Sequence, residues 1–464
     1  MSRPNAKEAA ADSLPSQVDV LVLGAGLTGL SAALELQRQN LSVLVVEKQS
    51  QVGGHARTDE VNGFRFDRTG HLLHLRSERW RARVQQWLGE ALLRIDRRSV
   101  VFSHGSYRRY PFQANTLGLP PEVAYECLMG FLEAQRSNHS SPTQNTPPRN
   151  FEEYCLRHFG SGFSRHFMLP YNTKLWGIEP SALGISWCER FVPRPQLADV
   201  IAGAVGLPDP KLGYNASFYY PKQGIGELPR AMYRELQRRV AVPAGADPVR
   251  LGRSPERLIP HKKEAWFGAE SVKYSMLIST IPLTRLAGLL DPPPIGPTRA
   301  AGKLRSTSLR YLDIALRLPE RHQFHWAYVP EARFPFYRVG CYSAFSSEMA
   351  PPNKSSLYVE LAARDPEPLD RTLAAVLPGL AEMGLLQSRE DVEFASVHTL
   401  EPAYVIYDDA RAGALEELED YLVSHSILST GRYGGWNYSS MEDALEFGVS
   451  AAARAVRELR GQAP

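Results

Sequence analysis

The sequence of 464 residues lacks the features that would direct it to a membrane, to nucleic acid or to a metal. No apolar run reaches the length that spans a bilayer, and residues 1–17 are polar and Ala-rich, unlike a signal peptide. The formal net charge is only +3, which gives no reason to expect a nucleic-acid partner. Four scattered cysteines show no metal-ligand spacing. We therefore expect a cytoplasmic protein with reduced thiols, no metal site and a small-molecule substrate.

What the sequence does contain is an apolar segment, residues 18–23, that runs into Gly24, Gly26 and Gly29. An apolar helix is predicted over 30–39, and a second strand over 42–46. This is the G-x-G-x-x-G pattern in the strand–turn–helix–strand context of a dinucleotide site. The first glycine permits the tight turn, the second lets backbone approach the pyrophosphate, and the third lets helix and strand pack closely. The helix N-terminus then attracts the phosphates.

Glu47 ends the second strand, and we expect it to accept hydrogen bonds from the ribose hydroxyls. A Gly-Gly pair with a basic residue follows it: Gly53, Gly54 and Arg57. That segment resembles the second fingerprint of the amine-oxidase-like flavoproteins, which packs on the FAD pyrophosphate. It therefore favours FAD as the cofactor. The alternative for the two glycines is an ordinary hairpin turn.

The distribution of these patterns predicts an α/β fold. It combines a Rossmann-like FAD-binding domain, an interleaved helical domain and an antiparallel β-sheet domain. Residues 201–217 carry few periodic apolar residues and predict a loop that covers the site. The predicted division is 15–115 for the first part of the FAD-binding domain, 116–215 for the helical domain, 216–270 and 300–400 for the antiparallel sheet, and 271–299 and 425–460 for returning segments of the FAD-binding domain.

Seven further stretches resemble the UDP-galactopyranose mutases, more closely the eukaryotic than the bacterial type. In chain order they are residues 67–71, 110–115, 169–176, 214–218, 326–330, 335–338 and 431–438. The resemblance implies a flavin-dependent isomerase in which reduced FAD attacks the anomeric carbon of a nucleotide sugar. The adduct at flavin N5 then recloses as the other ring form, with no net redox change. NAD(P)H is a candidate reductant, because Arg97, Ser99 and Arg432 match positions that help bind it in the eukaryotic type.

The same resemblance assigns roles to individual residues. His71, Arg338 and Arg432 are the catalytic candidates: a histidine beside the flavin, a diphosphate clamp and a residue near the flavin. Gly431 and Asp443 join the glycines above as cofactor-binding candidates. Six residues match the substrate site: Gln113, Asn215, Trp326, Tyr328, Tyr404 and Tyr438. Without the resemblance, a histidine or tyrosine of this kind would be a core residue and Arg338 a surface arginine.

Three departures affect the predicted substrate site. The position of a second diphosphate-binding arginine holds Leu169, a tryptophan expected near the uracil is Tyr154, and the usual Gly-Gly-His segment begins with Thr69. Lys174 or Arg165 could supply the missing charge. Two alternative functions therefore stay open: an amine-oxidase-like FAD oxidoreductase, either an oxidase or a desaturase, and a flavin-binding protein without its own chemistry.

Overall fold

Two seven-stranded sheets organise the chain. The computed structural model describes residues 13–140, 146–207, 216–238, 247–362 and 365–461. Among these residues no helix combines the length and the apolar character needed to cross a membrane, and no group of His, Cys, Asp or Glu side chains is arranged to hold a metal ion.

The first sheet is built on parallel strands whose side chains are buried on both faces, as their unbroken Val and Leu runs require. Its strand order is β10-β11-β12-β1-β2-β9, and β18 also pairs with β12. The strands are β1 (Gln17–Leu23), β2 (Val43–Glu47), β9 (Val249–Leu251), β10 (Arg257–Ile259), β11 (Glu264–Phe267), β12 (Glu270–Ser279) and β18 (Ile427–Ser429).

The second sheet is antiparallel except for the β14–β6 pair, and its order is β17-β13-β16-β15-β14-β6-β7. Its strands are β6 (Ser99–Ser103), β7 (Ser106–Arg109), β13 (Ser306–Leu316), β14 (Trp326–Tyr328), β15 (Phe336–Cys341), β16 (Ser355–Leu361) and β17 (Val392–Val405). Two small ribbons complete the β-structure: β3 (Thr58–Val61) with β4 (Phe64–Asp67), and β5 (Leu92–Asp96) with β8 (Ser217–Pro221).

Helices pack on both sheets. Within the described ranges the α-helices are α1 (Leu27–Arg38), α2 (Glu78–Leu88), α3 (Pro121–Ser140), α4 (Phe151–Phe163), α5 (Leu169–Trp176), α6 (Cys188–Phe191), α7 (Leu197–Val205), α8 (Glu227–Arg238), α9 (Leu283–Ala287), α10 (Ile295–Ala301), α11 (Leu369–Glu382), α12 (Asp409–Ser424), α13 (Gly431–Gly434) and α14 (Met441–Leu459). Apolar residues of α1, α8 and α14 share one core with β1 and β2. An aromatic-rich core holds α3 to α6 together.

The predicted α/β fold class is confirmed. The segment 271–299, expected to return to the FAD-binding domain, begins with β12, which pairs with β1 in parallel register. The predicted division differs in three places. Strands β9 to β11 belong to the first sheet, although 216–270 was assigned to the antiparallel sheet. Strands β6 and β7 lie in the second sheet, although 15–115 was assigned to the FAD-binding domain. Part of the expected loop at 201–217 is helix α7, and residues 208–215 lie outside the described ranges. Local patterns predict strands, whereas the sheet that each joins depends on long-range pairing.

Candidate functional site

The loop after β1 has open space next to Gly26, whereas Gly29 is in close contact with the backbone. A Cβ on Gly26 would meet no described atom within 4 Å, whereas a Cβ on Gly29 would lie 1.9 Å from the Gly24 carbonyl oxygen. Gly24 itself has φ +97°, a conformation that favours glycine. The first turn of α1 therefore contacts the loop directly, and the free space lies at the helix N-terminus, where a phosphate is favoured.

The Gly-Gly pair packs on this loop and does not form a separate hairpin. The Gly53 amide donates to the Ala25 carbonyl at 2.8 Å, and a Cβ on Gly54 would lie 3.5 Å from the Gly26 Cα. Both glycines have positive φ, +115° and +59°. The two glycine segments thus form one continuous cradle.

Arg57 projects from the end of this cradle as an incompletely paired cation. Its Nη2 lies 3.4 Å from Asp59 Oδ1, while Nε and Nη1 are buried and have no partner among the described residues. Buried guanidinium N–H groups are costly without an acceptor. A cradle with free space and an unsatisfied arginine fits the pyrophosphate of FAD.

Glu47 lies beside the same loop, at the end of β2. Its Oε2 accepts from the Ala25 amide at 2.9 Å, and its Oε1 accepts from the Gln49 amide at 2.9 Å. The carboxylate orientation is therefore fixed. Each oxygen retains a further lone pair for a ribose hydroxyl.

His71 and His55 both lie near enough to Arg432 for its charge to lower their pKa values. Burial, then the Arg432 charge, lower the pKa of His71 to about 4. Burial, then neighbouring His71, Arg68 and Arg432, lower the pKa of His55 to about 3. Both imidazoles are consequently neutral at physiological pH. Arg432 donates to the Ser439 carbonyl at 2.8 Å, and its guanidinium lies 4.9 Å from the Tyr438 ring centre.

A cavity of about 140 Å³ lies between α5, β14, β15 and the end of β17. Five residues predicted from distant parts of the sequence line it: Gln113, Tyr328, Arg338, Tyr404 and Tyr438. The other lining residues are Asn172 and nine aromatic or apolar residues: Tyr110, Phe167, Met168, Tyr171, Leu175, Trp187, Phe191, Val192 and Pro193. Trp326 packs behind Tyr328, with ring centroids 6.5 Å apart. Asn215 lies outside the described residues.

Arg338 is paired within the protein. It faces Glu360 across the β15–β16 ladder, and the guanidinium holds that carboxylate through two hydrogen bonds, one of them Nε to Oε2 at 2.9 Å. The Glu360 side chain is 0% exposed, and Arg338 is 19% exposed. Sequence reasoning missed Glu360, because only the strand pairing places it beside Arg338.

Neither proposed substitute for the missing arginine reaches the cavity. The Lys174 ammonium group donates to the carbonyls of Val329, Glu331 and Phe336, and Arg165 pairs with Glu126 at 3.1 Å. Neither residue therefore supplies the missing charge to the cavity lining. Leu169 is half-buried and packs against the aromatic core, outside the cavity lining.

The other two departures from the mutase pattern are Tyr154 and Thr69, and the structure shows the surroundings of the first and the backbone conformation of the second. Tyr154 is buried beside His158, with ring centroids 4.5 Å apart, and does not line the cavity. Thr69 has φ +68°, a left-handed conformation that glycine adopts freely and a β-branched residue adopts under strain. The positive φ of residue 69 explains why glycine suits this position in the Gly-Gly-His segment.

Asp443 is engaged by protein groups. It forms the capping box of α14 with Ser440, and it pairs with Arg190 at 2.6 Å and with Arg76 at 3.0 Å. Its role in binding the cofactor stays a prediction. Arg97 lies over the Tyr110 ring at 5.0 Å, next to the cavity.

Known proteins resemble this arrangement. Residues 22–87 match the family model of the NAD(P)-binding Rossmann-like domain. A protein of Klebsiella pneumoniae described as a probable UDP-galactopyranose mutase is 25% identical over 199 residues, which cover 42% of this chain and 50% of that one, so the chain aligns with about half of that relative's length. A zeta-carotene-forming phytoene desaturase of Myxococcus xanthus is 24% identical over 81% of this chain and 79% of its own.

Among solved structures, reduced UDP-galactopyranose mutase superposes with a TM-score of 0.85 and 26% identity, covering 95% of both chains. The similarity therefore extends from the nucleotide-binding loop through the helical region and the second sheet. In fold and in sequence, this chain is UDP-galactopyranose mutase-like.

Proposed function

We propose that the protein is an FAD-dependent mutase that interconverts the pyranose and furanose forms of a nucleotide sugar. The observation that carries the proposal is the convergence of Gln113, Tyr328, Arg338, Tyr404 and Tyr438 on one cavity. These residues come from separate segments, and the mutase resemblance had assigned each of them to substrate. The overall similarity to the mutases supports the same reaction class.

In this proposal the two glycine segments, with Arg57 and Glu47, hold the cofactor. Bound and reduced, FAD supplies the nucleophile for the anomeric carbon. His71 and Arg432 lie between the cradle and the cavity, where a neutral imidazole and a fixed guanidinium would orient the flavin. NAD(P)H remains the proposed physiological reductant, with Arg97 as a candidate contact.

The substrate diphosphate would be bound by Arg338 and the cavity phenols. Burial raises the pKa of Tyr404 and Tyr438, so both remain hydroxyl donors at neutral pH. Aromatic walls would exclude water from the reacting sugar. Because Glu360 compensates the Arg338 charge, neutral donors would carry a larger part of anion binding here than a pair of free arginines would.

The test is to reduce the flavin-loaded protein with dithionite, add a panel of nucleotide sugars and trap with cyanoborohydride. We expect the mass of a covalent flavin–sugar product with at least one nucleotide sugar, and none with oxidised protein. The free sugar without its nucleotide is the matched control, since it lacks the diphosphate leaving group. Absence of a trapped mass across the panel, with the flavin fully reduced, would overturn the proposal.

One observation favours a second candidate, an FAD oxidoreductase acting as an oxidase or desaturase. The cavity is walled by aromatic side chains, and within the described residues its only lining cation, Arg338, is already paired. Such a site suits a less anionic substrate. Substrate-dependent consumption of oxygen or another acceptor, in proportion to product, would identify this activity.

A further inference from the structure

His55 occupies a junction between the two parts of the cofactor site. It follows the Gly-Gly pair, so its backbone continues the cradle that faces Gly26. Its ring packs edge-on against Tyr433, with centroids 5.4 Å apart. His71, Arg68 and Arg432 are its charged or titratable neighbours. The side chain therefore connects the pyrophosphate end of the site with the end that contains His71.

The two ring nitrogens of His55 have different surroundings. The Pro402 carbonyl forms a hydrogen bond with the ring, which favours a proton there. Nδ1 is buried and has no partner among the residues that the structure describes. The Pro402 bond is therefore assigned to Nε2, which leaves Nδ1 as an acceptor in the neutral ring. A buried nitrogen of this kind carries a desolvation penalty until a donor reaches it.

We propose that His55 is a positioning residue for FAD, whose Nδ1 accepts a hydrogen bond from an N–H or O–H group of the cofactor. Phosphate oxygens cannot satisfy this nitrogen, because they are themselves acceptors. The complementary donors are the ribityl hydroxyls and the N–H groups of the isoalloxazine ring. This inference rests on the FAD site of the proposed function and does not depend on the nucleotide sugar.

A purely structural role predicts a different behaviour. If His55 only packed against Tyr433, its replacement would weaken the apoprotein, and FAD binding would fall only as folding fell. If Nδ1 serves the cofactor, removal of the unsatisfied nitrogen leaves the apoprotein as stable as before or more stable. The loss then appears only in the affinity for FAD. A positioning role thus predicts weaker FAD binding without a loss of apoprotein stability.

The experiment compares His55→Phe and His55→Asn with the parent. Phenylalanine keeps an aromatic ring against Tyr433 and removes the acceptor, whereas the asparagine oxygen can occupy the Nδ1 position. We expect His55→Phe to bind FAD about three- to tenfold more weakly, with an apoprotein melting temperature equal to or above that of the parent. His55→Asn should recover most of the affinity. His158→Phe is the matched control, because it replaces another imidazole that packs on a tyrosine, outside the cavity lining.

FAD affinity is measured by fluorescence titration of deflavinated protein, and apoprotein stability by thermal unfolding. Unchanged affinity in His55→Phe would overturn the inference, as would a drop in apoprotein stability that accounts for the weaker binding. A parent protein that binds no FAD would overturn both this inference and the proposed function. If FAD binds as expected while no nucleotide sugar reacts, only the mutase proposal fails.

Discussion

The glycine cradle and the aromatic cavity each contain an arginine, and the two guanidinium groups are paired in different ways. Arg57 in the cradle has a single long contact to Asp59, and two of its nitrogens find no acceptor in the described part of the chain. Arg338 in the cavity holds the buried carboxylate of Glu360 with two hydrogen bonds. The guanidinium of Arg57 can therefore bind an anionic group of a ligand, whereas the charge of Arg338 is already compensated by Glu360.

This difference between the two arginines bears separately on the prediction of the cofactor and on the prediction of the substrate. An open glycine cradle with an unsatisfied cation favours a dinucleotide whatever the reaction. The cavity contains residues that suit a nucleotide sugar, but its net charge is lower than that of a site with two free arginines. The cofactor class thus follows from the fold more directly than the substrate class, and experiments can separate the two.

The largest effects are expected from substitutions of Gly29 and Gly26, which should impair folding and flavin binding, respectively. Gly29→Ala should prevent stable folding, because its Cβ would lie 1.9 Å from the Gly24 carbonyl oxygen. Gly26→Val should fold, because its side chain enters open space, but should purify without flavin colour. Circular dichroism and flavin absorbance check both variants. A yellow Gly26→Val protein would contradict the assigned cradle.

The two arginines should behave oppositely in the apoprotein. Arg338→Ala leaves Glu360 buried and unpaired, so we expect a loss of about 3–5 kcal/mol in the free energy of unfolding. Arg57→Ala should leave apoprotein stability unchanged or higher and should weaken FAD binding. Urea unfolding and flavin titration measure the two effects. A double variant, Arg338→Met with Glu360→Gln, is the control and should recover most of the stability; equal losses in both single variants would remove the distinction between the sites.

Leu169→Arg tests whether the cavity can accept the second charge. Leu169 packs against the aromatic core and does not line the cavity, so the new guanidinium should destabilise the fold by about 1–3 kcal/mol and should not tighten UDP binding. UDP titration of the reduced parent and variant decides between the outcomes. Tighter UDP binding with intact folding would refute this expectation and would restore UDP-galactose as the leading substrate.

The pH dependence of stability should report the neutral imidazole of His71. Its pKa is lowered to about 4 in the folded chain, from an ordinary value of 6.5. Between these values the unfolded chain binds more protons, so stability falls as pH falls, by up to ~1.4 kcal/mol per pH unit. In His71→Phe this contribution disappears, and the slope of unfolding free energy from pH 6.5 to pH 4 should become shallower. An unchanged slope would mean that folding does not lower the pKa of His71.

Residues close together in sequence were the most predictable. The strand–glycine–helix pattern gave β1, α1 and the cradle, since turn chemistry and burial are local properties. Glu360 could not be predicted, because it lies opposite Arg338 only through the pairing of β15 with β16. The contacts of Lys174 and Arg165 could not be predicted either, because their partners come from remote segments of the chain. His55 could have been singled out from the sequence, because it directly follows the Gly-Gly pair.

The most direct test of the mutase proposal is isomerisation by the reduced holoprotein. Dithionite-reduced protein is incubated anaerobically with individual nucleotide sugars, and the pyranose and furanose forms are separated by chromatography. The proposal predicts interconversion of at least one nucleotide sugar over many turnovers with no consumption of reductant, and none with oxidised protein. A reduced, fully flavin-loaded protein that isomerises no nucleotide sugar, but oxidises a substrate with stoichiometric uptake of oxygen, would contradict it.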